Sequence, residues 1–138
     1  YFYMIYSQNI KECLPCGCSV LNCHVQRGAN LHAEEVEDSF QRAKKFFAQI
    51  DPDTKYKAFL CYSWLLYPPM IKFLSPSSNI RQFAEKFQMI GTSRNSDQAM
   101  ENLFNGKEKI LTPDATSLQR MVLKQEEQFG FGCGIILL

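Results

Sequence analysis

The sequence predicts a single α+β domain over residues 1–138, and three observations predict it. Strand-like and helix-like segments run in the order strand, strand, helix, strand, helices, strand, helix, strand. That is a mixed arrangement and not the strict alternation of a parallel doubly wound sheet. Apolar residues make up 46% and charged residues 21% of the 138 residues, the balance of a globular chain with one packed core. No apolar run approaches the ~18 residues that a membrane span needs.

The elements follow in order. "YFYMIYSQ" (1–8) is dense in aromatic and β-branched residues and suits a buried strand. "KECLPCGCS" (11–19) breaks it with Pro15 and Gly17, and "SVLNCHV" (19–25) reads as a second strand. Residues 1–25 are therefore expected to form a hairpin with a long connection. Gly28 and Asn30 then turn the chain. From His32 to Ile50 the apolar positions Val36, Phe40, Ala43, Phe47 and Ile50 recur at three- and four-residue spacing, which marks an amphipathic helix. Glu34, Glu35, Glu37 and Asp38 crowd its start, and Arg42, Lys44 and Lys45 come later, the order a helix dipole prefers. After the turn "DPDT" (51–54), "YKAFLCYSWLL" (56–66) is a nearly continuous apolar run, as expected of a central strand buried on both faces.

Pro68 and Pro69 end that strand and place a proline in the first turn of a short helix over 69–74. "SPSSN" (75–79) offers caps for a helix over 79–87 with Ile80, Phe83 and Phe87 on one face. "FQMIG" (87–91) reads as a short strand, and 96–105 as a helix with Ala99, Leu103 and Phe104 inward. In 112–130, Thr116 or Ser117 caps a helix carrying Leu118, Met121, Val122 and Gln125 on one face, and Gly130 stops it. "FGCGIILL" (131–138) is a glycine-rich closing strand.

Composition excludes several classes. The formal net charge is +1 and the basic residues are scattered, so neither a nucleic-acid surface nor a membrane-binding one is expected. The chain opens on Tyr1 with no charged segment leading into an apolar one, so it reads as a piece of a longer protein without a secretion signal. Its six cysteines are accordingly expected as mostly free thiols in a cytoplasmic protein. Cys13, Cys16, Cys18 and Cys23 lie close together, and "CLPCG" has the shape of a zinc knuckle. A closed site needs two more converging ligands. On a strand Cys23 and His24 point to opposite faces, so no metal is expected and thiols in a connection are the preferred reading.

Several stretches in order carry a resemblance. "VLNCHVQRGANLHAEEVEDSFQRAKKFF" (20–47), "YKAFLCYSWLL" (56–66), "LSPSSNIRQF" (74–83), "TSLQR" (116–120) and "GCGIILL" (132–138) resemble the GNAT-like C-terminal domain of a bacterial acyltransferase family. In full-length members that domain follows a helical N-terminal domain, which is the partner the resemblance implies. It also implies a mixed, mostly antiparallel central sheet flanked by helices. The implied activity is acyl transfer from an acyl-CoA co-substrate to an amine. The coenzyme pyrophosphate is expected on the loop between a central strand and the following helix, which by position is the loop after "NCHV".

That loop gives Gln26, Arg27, Gly28 and Ala29 as the candidate coenzyme contacts. Backbone N–H groups there can hold a diphosphate, with Arg27 adding a charge. "QRGANL" differs in spacing from the Gln/Arg-x-x-Gly-x-Gly/Ala pattern of GNAT loops, and the plainer reading is a strand-to-helix connection relieved by Gly28. His24, beside the loop, is the candidate general base for an ammonium nucleophile. Ser63 or Tyr62 is the candidate acid that protonates a leaving thiolate. Core packing of "CYSWLL" and a merely hydrogen-bonded His24 are the competing structural readings. At the level of the whole domain, the competitor is a non-catalytic module that binds a small ligand or docks another domain.

Overall fold

The computed structural model describes residues 2–4, 8–106 and 108–138. Among the described residues five strands form one sheet in the order β1-β4-β5-β3-β2. These are β1 (Phe2–Met4), β2 (Leu21–Asn22), β3 (Ala58–Ser63), β4 (Gln88–Ser93) and β5 (Phe131–Leu137). The pairs β1–β4, β4–β5 and β3–β5 are antiparallel, and only β2–β3 is parallel. The expected mixed, mostly antiparallel sheet flanked by helices is what forms.

The N-terminal hairpin does not form. The strand expected over 1–8 lies partly outside the described residues. Its described part, β1, pairs with β4 on one edge, while β2 sits on the other edge beside β3. Between them Gln8–Cys13 is a helix, α1, whose one buried residue, Ile10, packs with Ala58, Ile90, Cys133 and Ile135. A single buried apolar position gives no periodicity, so the segment read as a connection.

The parallel pair is joined by α2 (Ala33–Ile50), as parallel strands require a crossover. Val36 and Phe40 face the sheet and pack with Leu21, Phe59, Cys61 and Phe87. The Phe40 ring lies 4.7 Å from that of Phe59 and 6.2 Å from that of Phe87, pairs worth about 0.5–1.5 kcal/mol each beyond their burial. Ile50, the last residue of the expected apolar stripe, is exposed. On the same face of β5, glycine is required at Gly134: a Cβ there would stand 2.8 Å from the Phe87 Cβ. The glycine-rich closing strand thus lets Phe87 rest directly on the sheet.

The further α-helices among the described residues are α3 (Pro68–Phe73), α4 (Asn79–Glu85), α5 (Asp97–Phe104) and α6 (Ser117–Lys124). Ser78 caps α4 through the Arg81 N–H, and Thr116 and Gln119 close a capping box on α6. The run expected as strand through residue 66 changes at Trp64 into a 3₁₀ turn over Trp64–Leu66. Trp64, Leu65, Met70, Ala99, Val122 and Phe129 form a second core between that turn and the α5–α6 segment. Among the described residues no helix is long and apolar enough to cross a membrane.

Candidate functional site

The parallel pair is short, and its early end creates the site. The last β2–β3 bond runs from the Cys23 N–H to the Leu60 carbonyl at 2.8 Å. Beyond it β3 continues to Ser63, while residues 24–32 bend away toward α2. Trp64 lies four residues past Leu60, so its N–H emerges on the edge that β2 has left. It is taken instead by the Gln98 side-chain carbonyl at 2.7 Å. The Ser63 hydroxyl accepts the Leu65 N–H at 3.1 Å and caps the 3₁₀ turn. The strand edge is thus closed by side chains, and a space opens between the two chains.

That space is a cleft of about 450 Å³. Residues 25–31 form one wall, Trp64 and Leu65 another, and the starts of α4 and α6 and the end of α5 complete it. Val25, Leu31, Ile80, Leu103 and Leu118 make much of the surface apolar, and Asn79, Asn102 and Thr116 are among its polar groups. Among the described residues no carboxylate lines it. Glu34, Glu35, Glu37 and Asp38 are exposed and none of them lines the cleft, although Glu35 lines the smaller cavity beside it.

Within the loop, Gly28 has φ +76°, a left-handed conformation that favours glycine. The Ala29 N–H bonds the Gln26 carbonyl at 3.1 Å, and the His32 N–H bonds the Asn30 side chain at 3.1 Å. Two of the loop's main-chain donors are therefore used within the loop. The N–H groups of Gly28 and Leu31 have no acceptor among the described residues.

Arg27 lines the cleft, but its guanidinium is committed to the end of α5. It donates to the carbonyls of Glu101 (3.0 Å) and Asn102 and to the side chain of Asn105. Asn105 has φ +61° at the helix C-cap, so the arginine holds both the orphan carbonyls and the capping residue. A cation at the negative end of the helix dipole is also favoured.

The three candidate catalytic side chains do not converge. His24 is exposed and lines a smaller cavity of about 120 Å³ that shares Val25, Ala29, Asn30 and Leu31 with the cleft. Ser63 is buried on the α2 side of β3. Tyr62 is 53% exposed on the opposite side, where it stands across from Cys133 and hydrogen-bonds it. Burial raises the Cys133 thiol pKa, and that bond partly offsets the rise. Among the described residues no three histidine, cysteine or acidic side chains group to hold a metal ion. Asn79, Asn102 and Thr116 were missed as site residues. Only the capping role of Thr116 and of the serines before Asn79 marked that their helices begin there.

The GNAT-like C-terminal domain model matches residues 6–136. The chain belongs to that family. The fold of this GNAT-like domain is shared with solved acyltransferases. One in complex with decanoyl-CoA aligns with a TM-score of 0.77 at 22% identity, over 99% of this chain and 43% of that one. A second, in complex with decanoyl-CoA and teicoplanin, gives 0.75 at 25% identity, over 99% and 44%. A third, with CoA and 10C-teicoplanin, gives 0.76 at 23% identity, again over 99% and 44%. The GNAT-like domain therefore spans less than half the length of these acyltransferases. No curated protein matches the chain.

Proposed function

We propose that this GNAT-like domain binds acyl-CoA and takes part in transferring the acyl group to an amine, in the cytoplasm and together with an N-terminal helical domain. The observation that carries the reading is the cleft at the β2–β3 split, edged by the strand-to-helix loop. Its apolar wall suits a pantetheine arm or an acyl chain, and the open N–H groups of Gly28 and Leu31 suit phosphate oxygens. The solved acyltransferases of the same fold, in complex with decanoyl-CoA or CoA, support it.

In this reading the amine attacks the thioester carbonyl, and the domain positions the two reactants. Gln26 and Gly28 contribute main chain to the phosphate site, and Ala29, its N–H held by the Gln26 carbonyl, shapes the turn beside them. Arg27 contributes charge from a guanidinium anchored on α5. His24 is the base, and Ser63, with Tyr62 as the alternative, is the acid. The commitment of Arg27 to α5 and the separation of these three side chains favour a second reading, a ligand-binding module without catalysis.

Titration with CoA and with acyl-CoAs of increasing length tests the binding, read by melting temperature. At a hundredfold excess over the dissociation constant the native state gains about 2.7 kcal/mol. At about 2.1 cal/mol/K per residue over 138 residues, this is a rise of about 9 °C. Gly28→Phe removes the rise. Absence of any rise in the wild-type chain refutes the coenzyme site. Binding without turnover in a protein carrying both domains supports the module.

A further inference from the structure

Two thiols meet at the point where β2 and β3 separate. Leu21 stands opposite Phe59 and Asn22 opposite Leu60. One position further, past the Cys23 N–H bond to Leu60, Cys23 comes beside Cys61 on the face covered by α2. Neighbouring residues of paired strands sit about 4.8 Å apart, inside the ~4.4–6.8 Å range of Cα separations that a disulfide bridges.

The two sulfurs are unequal. Cys61 is 0% exposed, while Cys23 is half-buried and lines the small cavity with His24. A hydrogen bond from Cys61 lowers the Cys23 pKa despite partial burial. The same contact, with burial, raises that of Cys61. Cys23 is thus the more accessible and more readily ionised thiol, and Cys61 the shielded one held against it.

We infer that Cys23 and Cys61 are a peroxide-sensitive modification site that closes to a disulfide across the β2–β3 split. The Cys23 thiolate attacks hydrogen peroxide, the O–O bond breaks, and hydroxide leaves to become water on taking a proton. Cys23 is then a sulfenic acid. The Cys61 sulfur displaces its hydroxyl as a second water, giving up its own proton. Two thiols lose one electron each, and one peroxide is reduced to two waters. The inference stands apart from the acyl-transfer reading, since bond formation needs no coenzyme.

The test uses the wild-type chain and a Cys13→Ser/Cys16→Ser/Cys18→Ser variant treated with graded hydrogen peroxide. Intact mass, non-reducing peptide maps and melting temperature are followed before and after dithiothreitol. The expected result is a loss of two hydrogen masses and a linked peptide pair carrying Cys23 and Cys61. A rise of several degrees in melting temperature, reversed by reductant, accompanies it. Cys23→Ser abolishes the link, with circular dichroism showing that the variant is folded. If the wild-type map shows Cys23 passing to sulfinic acid unlinked, or linked to another cysteine, the inference fails. It fails equally if neither thiol reacts while Cys13 and Cys16 do.

Discussion

Removing the Gln98 side chain tests whether the cleft depends on the polar closure of the β3 edge. Its carbonyl accepts the N–H of Trp64, a residue only 9% exposed, at 2.7 Å. In Gln98→Ala that N–H loses its acceptor, and a partly buried donor left unsatisfied costs about 1–3 kcal/mol. An entropy of unfolding near 2.1 cal/mol/K per residue makes this a fall in melting temperature of about 3–10 °C. Gln98→Glu keeps an acceptor oxygen and adds a negative charge in the first turn of α5, where the dipole favours it, so its fall is much smaller. Differential scanning calorimetry reads both variants. Because Trp64 lines the cleft, amide exchange over Trp64–Leu66 quickens in the alanine variant. Should Gln98→Ala melt within about 1 °C of wild type, the closure is not energetically significant and the reasoning falls.

Arg27→Ala frees the α5 carbonyls it now holds, so hydrogen exchange at residues 101–105 rises while the α2 amides stay protected. Arg27→Lys restores the charge without the planar fork and recovers only part of that protection. Gly28→Ala costs about 1–2 kcal/mol through its left-handed backbone alone, since a Cβ there meets nothing within 4 Å, and calorimetry reads a folded but less stable chain. Phe40→Ala empties the space between Phe59 and Phe87 and costs about 3–5 kcal/mol in urea unfolding. Gly134→Ala is strongly destabilising in the same assay, because its methyl group meets Phe87 at 2.8 Å.

The helix at 33–50 was legible because Val36, Phe40, Ala43 and Phe47 repeat a local period, and local periods survive in sequence. So were the helix over 79–85 and the closing strand. The partner of a strand is not local. "SVLNCHV" alternates well enough for a strand but carries nothing that says parallel or antiparallel, and the structure keeps only Leu21–Asn22 of it. Arg27 shows the same limit at the site. A basic residue in a loop before a helix reads equally as an anion ligand or as the partner of orphan carbonyls, and the α5 end that decides between them lies more than seventy residues away. Asn79, Asn102 and Thr116 reach the cleft from three different helices, so no spacing could have grouped them.

The cleft exists because the domain ends a sheet early without leaving its backbone unpaired. A strand edge abandoned by its neighbour exposes donors and acceptors whose loss costs as much as a hydrogen bond each. Here the cost is offset locally: Gln98 replaces β2 on Trp64, Ser63 satisfies Leu65, and the 3₁₀ turn draws the chain out of the sheet. The opposite wall is held the same way, with Arg27 on the Glu101 and Asn102 carbonyls and Gln119 on the Leu103 carbonyl at 2.7 Å. Apolar packing of Ala99, Phe104 and Val122 anchors the back of that wall, and polar bonds set its front. A space bounded in this way keeps its shape without a ligand to hold it open. The geometry a ligand meets is then fixed by a few directional bonds, each of which one substitution can remove.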